Sequence, residues 1–371
     1  NNMSSRPVSV SEAFEMQRSG MLLLDIREPD EWISGVAAGA RPVSRAELEK
    51  NACHYLSGLD QPVLLLCAGG KRSDACAQVL RSSGYKAVHS VQGGIQAWMA
   101  AGLPTHSYQA SDFDLRYSRQ IVLPQVGREG QEKLARSRIL LVGAGGLGSP
   151  AAFYLAAAGV GHLRIVDHDI IDLSNLQRQI LHKVADIGEY KVTSAKRTLN
   201  ALNPSISIEI HQDSISKSNV INYLNDVDLV IDGTDNFTSR YAISDACTQA
   251  GIPWVYGAVY RFEGQLALFH ASRGEQHGLC YRCLFPEAES GQNAPNCTEA
   301  GVLGVAPGII GVLQATEALK YLLGIGQPLL GRLLHVDLLS MRFHETGMMA
   351  DPACTACGFD GNPSLQEQKK G

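Results

Sequence analysis

The sequence predicts an α/β protein of two domains, the second a doubly wound sheet extended at one edge by antiparallel strands. Three observations predict it. A buried-type strand, RILLV, runs directly into GAGGLG and a helix start at residues 138–150. Short apolar runs alternate with segments of helical period from Met21 to Tyr260. Beyond that point FEGQLALFH and GRLLHVDLLSMRFHE read as further strands, and the alternation in the first turns the sheet antiparallel.

A chain of 371 residues suits two or three domains, each large enough to bury a core. Its formal net charge of −5 argues against a nucleic-acid surface. No apolar run reaches membrane-spanning length, and NNMSSRPVSV has no signal-peptide core, so the expectation is a cytoplasmic protein with no membrane partner. Nine cysteines are an odd number. In a reducing compartment their paired spacings favour metal binding or catalysis over disulfides.

The first domain is expected over residues 1–106. Met21–Ile26 is a buried-type strand followed by the acidic loop and helix start REPDEW, and Pro62–Cys67 is a second strand. Ala68–Ser73 is a tight glycine-containing loop opening into the helix DACAQVLRSSG. Cys67 therefore ends a strand and faces successive N–H groups, a helix N-terminus, Lys71 and Arg72. That setting stabilises a thiolate or persulfide anion. A small buried cysteine at a strand end is the plainer alternative; Gly69, Gly70 and Arg72 at these offsets favour reactivity.

The order LLLDIREPDEW, LLLLCAGGKRS, SVQGGIQAWMAAGLP resembles a single rhodanese domain. The resemblance implies Cys67 as a persulfide carrier cradled by residues 68–73 and loaded by an upstream persulfide or thiosulfate donor. Two positions depart from that pattern: Val36 follows Gly35 where Gly-His-Ile is usual after Trp32, and Ala68 stands where arginine is common. The second removes a positive charge, so thiosulfate need not be the donor. Residues 107–115 are polar and aperiodic and read as a linker.

The second domain, expected over 116–358, opens its nucleotide fingerprint at Gly143, Gly145 and Gly148, with Gly146 inside the turn. Ser149 and Pro150 start the helix behind it. The next strand closes on Asp167, whose carboxylate can accept from ribose hydroxyls. By itself this pattern does not separate a nicotinamide cofactor from ATP. Asn175, Arg178 and Lys191 suit a triphosphate, and the DLVID strand leads into Asp235 and Asn236, where a loop carboxylate can meet Mg2+. Between these, GEYKVTSAKRTLNALNP reads as helix, SISIEIHQD as strand, SNVINYLNDV and FTSRYAISDACTQAG as helices and IPWVYGAVY as strand. Arg240 and Arg261 read as packing or surface charges.

Cys280, Cys283, Cys354 and Cys357 form two C-x-x-C pairs. Four thiolates close a tetrahedral zinc shell with no open position, which makes the metal structural, whereas a redox dithiol needs only one pair. Between the pairs, residues 287–301 are polar and turn-rich, a loop able to cross the site, and GVLGVAPGIIGVLQATEALKYLLG packs as a glycine-bearing apolar helix. His335 and His344 read as packed or surface histidines. Residues 359–371 read as a flexible tail.

RYSRQIVL, GAGGLGS, DLSNLQRQ, GEYK, DGTDN, CYRC and CTAC, in that order from Arg116 to Gly358, resemble the MoeB/ThiF family, adenylating enzymes related to the ubiquitin-activating enzymes. The resemblance implies a Rossmann-like domain that uses ATP and Mg2+ to adenylate the C-terminal glycine of a ubiquitin-like sulfur carrier of the MoaD/ThiS kind, ending in Gly-Gly. It implies a homodimer in which Arg119 reaches the partner's ATP, and it matches Cys297 to a loop cysteine that can link covalently to the carrier. With a rhodanese domain attached, the expected product is a thiocarboxylate, its sulfur delivered by Cys67. The rhodanese module usually follows the adenylating domain in such proteins, and here it precedes it. Two other readings stay open: transfer of the acyl-adenylate to a non-sulfur nucleophile, as in peptide or natural-product modification, and a nicotinamide-dependent oxidoreductase.

Overall fold

The computed structural model describes residues 6–109, 111–271, 278–286 and 301–358. It divides into two compact units, residues 1–131 and 132–371.

The first unit contains, in chain order, α1 (Val10–Arg18), β1 (Leu22–Asp25), α2 (Pro29–Trp32), β2 (Val36–Ala37), β3 (Arg41–Pro42), α3 (Arg45–Lys50), α4 (Ala52–Tyr55), β4 (Val63–Leu66), α5 (Lys71–Ser82), β5 (Val88–Ser90), α6 (Gly94–Ala100), β6 (Thr105–His106) and α7 (Asp112–Ile121). Four parallel strands pair in the order β3-β1-β4-β5. Alternate residues serve opposite faces of this sheet. Leu23, Leu64 and Leu66 pack with Trp32, Ile95 and Trp98, whereas Leu24, Val63 and Leu65 pack with Leu48, Cys76 and Leu80. Helices thus cover both faces, as a parallel sheet requires, and the loop after β4 is left at the sheet's carboxyl end. Ser111 caps α7, so a helix starts inside the stretch read as a linker. Helix α8 (Gly127–Arg136) crosses the division between the units.

The second unit continues with β7 (Arg138–Val142), α9 (Gly148–Ala158), β8 (His162–Val166), α10 (Lys191–Leu202), β9 (Ser207–His211), β10 (Leu229–Asp232), α11 (Phe237–Ala250), β11 (Trp254–Tyr260), β12 (Glu263–Phe269), α12 (Tyr281–Leu284), α13 (Val305–Leu323), β13 (Arg332–Asp337) and β14 (Arg342–Gly347). Its eight strands run β14-β13-β12-β11-β10-β7-β8-β9. From β9 to β11 neighbouring strands are parallel; from β11 to β14 they are antiparallel. The doubly wound sheet with an antiparallel extension is therefore as expected. The chain reverses its winding between β7 and β10, and ligand crevices of open α/β sheets form at the carboxyl ends of such strands.

One element differs from expectation. SNVINYLNDV forms only the short 3₁₀ stretch Val220–Leu224. The Asn219 side chain bonds the Ser214 carbonyl at 2.9 Å and Asp213 at 3.0 Å, and such local bonds compete with an α-helical turn. Among the described residues no helix is long and apolar enough to cross a membrane.

Candidate nucleotide, sulfur and metal sites

The loop between β7 and α9 requires glycine at two positions for different reasons. Gly143 has φ +93°, and a Cβ there would lie 2.7 Å from the Gly233 carbonyl oxygen. A Cβ on Gly148 would lie 1.9 Å from the Gly143 oxygen, so this glycine lets the helix close on the strand. Gly143, Gly145 and Gly146 line a cavity with Asp167, Arg178, Lys191, Asp235 and Asn236. Gly148 and Asn175 stand outside that lining, and the Asn175 Oδ1 accepts from the Asp172 N–H at 2.9 Å.

Asp167 is almost fully buried and both its oxygens are used. Oδ2 accepts from the Ala144 N–H and Oδ1 from the Asp169 N–H, each at 2.8 Å. These bonds hold the carboxylate beside the glycine loop. Lys191 opens α10, and its ammonium donates to Asp169 Oδ2 at 2.7 Å. Partial burial opposes ionisation of Asp169, but the hydrogen bond and charge of Lys191 outweigh it and hold the carboxyl below its usual range. Arg178 donates to the Ser174 carbonyl at 3.0 Å, which aims a half-buried guanidinium along the cavity wall. Asp235 stands exposed in the loop after β10, and Asn236 Oδ1 caps α11 through the Ser239 N–H at 2.9 Å. The cavity therefore joins a glycine loop, a ribose-type carboxylate and two cations, the fittings of a polyphosphate nucleotide.

A buried polar cluster that reaches the cavity through Arg240 was not legible in the sequence. Arg240, read there as a packing or surface charge, is buried, lines the cavity and sits 3.6 Å from Asp232 Oδ2. Asp232 is fully buried at the end of β10; burial pushes its carboxyl up and Arg240 only partly offsets that. Gln314 of α13 donates to the Asp232 carbonyl at 2.6 Å and ties the strand end to the helix. Behind the glycine loop, His182 bonds the Ala144 carbonyl at 3.0 Å and Ser194 at 2.9 Å, and burial pushes its ring below the usual imidazole range. The nearest sequence signal was the apolar β10 strand ending on an aspartate.

A second cavity of about 670 Å³ adjoins the first and shares Asp235, Arg240 and Val259 with it. Its lining is largely aromatic and apolar, including Phe237, Tyr256, Tyr281 and Phe285. His335 and His344 lie in it as a cross-strand pair with rings stacked 4.7 Å apart.

In the first unit, Cys67 is buried at the end of β4 and its Sγ accepts from the Gly70 N–H at 3.1 Å and the Ser73 N–H at 3.3 Å. Gly70 has φ +96°, which turns the loop around the sulfur. Arg72 is committed elsewhere: both its terminal nitrogens bond Glu31, at 2.6 and 2.7 Å. The Arg72 guanidinium is held above its usual range first by that bond and less by Cys67. The backbone N–H groups of Gly70 and Ser73, not the arginine, are the donors to the sulfur, and the Ser73 Oγ stands 3.4 Å from it. Arg119 of α7 pairs with Asp30 at 3.0 Å and is largely exposed.

The four predicted metal cysteines meet. Their sulfur atoms lie within 4.8 Å of one another, with Cys283–Cys357 at 3.3 Å, Cys280–Cys354 at 3.5 Å and Cys280–Cys283 at 3.9 Å. A tetrahedron of Zn–S bonds near 2.3 Å has edges of about 3.8 Å, so the donor set fits this ion. Cys297 lies outside the described residues.

Comparison with known proteins agrees with this geometry. Residues 117–356 match the ThiF family model and residues 9–101 the rhodanese-like domain. A sulfur carrier protein adenylyltransferase of Thermus thermophilus is 48% identical over 245 residues, 66% of this chain and 90% of that one. A SAMP-activating enzyme E1 of Haloferax volcanii is 47% identical over 263 residues, 71% of this chain and 95% of that one. A probable adenylyltransferase/sulfurtransferase MoeZ of Mycobacterium tuberculosis is 45% identical over 238 residues, and the match spans 64% of this chain and 61% of that one. The crystal structure of E. coli MccB with ATP shares the fold at a TM-score of 0.57 and 22% identity, covering 65% of this chain and 74% of that one. By its match over residues 117–356 the chain belongs to the ThiF family, and it carries a rhodanese-like domain ahead of that match.

Proposed function

We propose that this protein adenylates the C-terminal glycine of a small ubiquitin-like sulfur carrier ending in Gly-Gly and then converts it to a thiocarboxylate with sulfur carried on Cys67. The observation that carries the reading is the pair of adjoining cavities. One has the fittings for a triphosphate; the other is a largely aromatic and apolar pocket of about 670 Å³, proposed to take the carrier's extended end; they meet at Asp235 and Arg240.

A terminal carboxylate is ionised at neutral pH, so no general base is needed for its attack on the α-phosphate of ATP. The new bond joins a carboxylate oxygen to that phosphorus as the bond to pyrophosphate breaks. Lys191 and Arg178 offset the charge that leaves, and Arg119 from a partner subunit is the third cation of the proposal. Asp235 is the residue proposed to hold Mg2+, which supplies charge neutralisation on the phosphates. The terminal sulfur of a Cys67 persulfide then attacks the acyl carbon and AMP leaves, which gives an acyl disulfide to Cys67. A second thiol attacks the Cys67 sulfur, releases the thiocarboxylate and leaves Cys67 in a mixed disulfide. Zinc on Cys280, Cys283, Cys354 and Cys357 is proposed as structural, since four thiolates leave it no open position.

A homodimer belongs to the proposal because Leu173, Ile180 and Val184 are 67%, 57% and 70% exposed within one short stretch and call for cover. The upstream donor is proposed to be a persulfide or thiosulfate, and the compartment the cytoplasm, where thiols such as Cys67 stay reduced.

Intact mass of a Gly-Gly-ending carrier, incubated with the protein, Mg-ATP and a sulfur donor, tests this. The expected result is exchange of one oxygen for one sulfur, dependent on ATP and lost in Cys67→Ser, while carrier-dependent pyrophosphate release persists in that variant. Thiocarboxylate formed at the normal rate by Cys67→Ser would remove Cys67 from the pathway. Pyrophosphate release without any sulfur gain would point to another nucleophile for the adenylate.

A further inference from the structure

Behind the Cys67 sulfur stands a short chain of buried hydroxyls. Ser90, the last residue of β5, donates from its Oγ to Ser73 Oγ at 2.9 Å. Ser73 Oγ donates in turn to the Gly70 carbonyl at 2.8 Å and lies 3.4 Å from Cys67 Sγ. Cys67, Ser73 and Ser90 are each no more than 1% exposed, so no bulk water competes for these contacts.

Counting protons shows what the chain can do. A serine hydroxyl has one proton and two acceptor sites. With Cys67 as a thiol, Ser73 can accept from both Ser90 and the S–H while its own proton rests on Gly70. When the sulfur becomes an anion it has no proton to give, and the Ser73 proton has a charged acceptor within reach. Turning toward it costs little at Gly70, because that carbonyl keeps the Asp74 N–H at 3.0 Å. Ser90 supplies what makes the turn possible: its donated proton occupies one Ser73 lone pair and holds the oxygen beside the sulfur.

We propose that Ser90 is a positioning residue for sulfur chemistry at Cys67, acting through Ser73, whose single proton moves from the Gly70 carbonyl to the sulfur when Cys67 becomes a thiolate or persulfide anion. This deepens the reading of Cys67 as the sulfur carrier and rests on it for its biological use. Helix back-bonding alone would explain the Ser73–Gly70 contact. It would not make Ser90 matter to the charge on a sulfur that Ser90 does not touch.

The test is the pH profile of Cys67 alkylation by iodoacetamide in the full chain, read on the Cys67 peptide by mass spectrometry so that other thiols do not contribute. Ser73→Ala is expected to slow alkylation at pH 7 by about tenfold, the size of one hydrogen bond to a charged group, and to move the midpoint of the profile upward. Ser90→Ala is expected to slow it about threefold, as loss of a polarising neighbour in a hydrogen-bond chain. The double variant should match Ser73→Ala, because Ser90 acts only through it. Ser73→Thr, which keeps the hydroxyl, should restore the wild-type midpoint. A wild-type profile in Ser90→Ala, or a further slowing by Ser90→Ala in the Ser73→Ala background, overturns the proposal. If Ser90→Ala does not fold, an unchanged midpoint in Ser73→Ala does so by itself. Persulfide loading of the wild type, read as one added sulfur on the Cys67 peptide, separates the two ideas. Its absence defeats the carrier reading and leaves the alkylation result to judge the hydroxyl chain.

Discussion

Lys191 gives its ammonium to Asp169 across 2.7 Å, with the lysine nearly buried and the aspartate half exposed. The cation proposed to meet the triphosphate is thus held in place by a carboxylate on the cavity wall. Removing the charge in Lys191→Ala should lower carrier-dependent ATP–pyrophosphate exchange by about 10²-fold or more, roughly 2.7 kcal/mol. Asp169→Asn should do the opposite to nucleotide affinity, tightening it by up to about fivefold: a phosphate no longer competes with Asp169 for the ammonium, and an ion pair with one half-exposed partner is worth about 1 kcal/mol. Calorimetric titration of ATP analogue into both variants decides it, and weaker binding in Asp169→Asn would count against the competition.

The glycine loop separates packing from ligand contact. Gly148→Ala places a methyl 1.9 Å from a backbone oxygen, and should cost about 3 kcal/mol or more, read as a lowered melting temperature or as insoluble protein. At Gly145 the nearest atom to an added Cβ is the Gln179 amide at 3.7 Å. Gly145→Ala should therefore melt like the wild type and lose nucleotide affinity. A normal melting curve for Gly148→Ala would contradict the packing role.

Metal removal has a stability consequence. The purified protein should hold about one zinc per chain by elemental analysis. Stripping it with a chelator, or substituting Cys357→Ser, should lower the melting temperature of the unit carrying the cysteines by at least about 5 °C. Verified metal loss with an unchanged melting curve would deny the ion a structural role.

Glu28 makes the first unit sensitive to pH. Burial pushes its carboxyl up to about 7, helped by Glu31 and opposed by Arg72. A carboxyl whose folded pKa is raised binds its proton more tightly in the native state. Its contribution to stability is complete below the unfolded value and is lost as pH rises through about 7. Wild-type melting should therefore weaken from pH 5 to pH 8, and Glu28→Gln should flatten that slope. An equal slope in both proteins would show that another group sets it.

Much of the candidate site is legible in the sequence as residues that the fold brings together. The strand–glycine–helix pattern at 138–150, the carboxylate at Asp167, the cations at Arg178 and Lys191 and the cysteine spacing all lie in short segments whose chemistry follows from local order. The role of Asp169 escaped because nothing in its local sequence shows a partner 22 residues away. Arg240 escaped because a lone arginine on a helix is most often a solvated charge. It is buried here only because β10 ends beneath α11 with Asp232 facing it. The apolar spacing of SNVINYLNDV fits a full helix, and the competing asparagine bonds are invisible to spacing.

What the sequence determined by itself is therefore the sheet's winding, the glycine turn between strand and helix, the cysteine-bearing loop and the four thiols able to share an ion. These rest on periodicities of a few residues and on backbone freedom at single positions, which are properties of the local chain. Tertiary structure alone decided that Cys280 meets Cys354 across 74 positions, that Lys191 is held by Asp169, and that Ser90 stands behind Ser73 and Cys67. Such contacts depend on which strands become neighbours and on which polar groups are buried together. Both are set by packing of the whole unit, where an unpaired buried group costs more than any local preference can return.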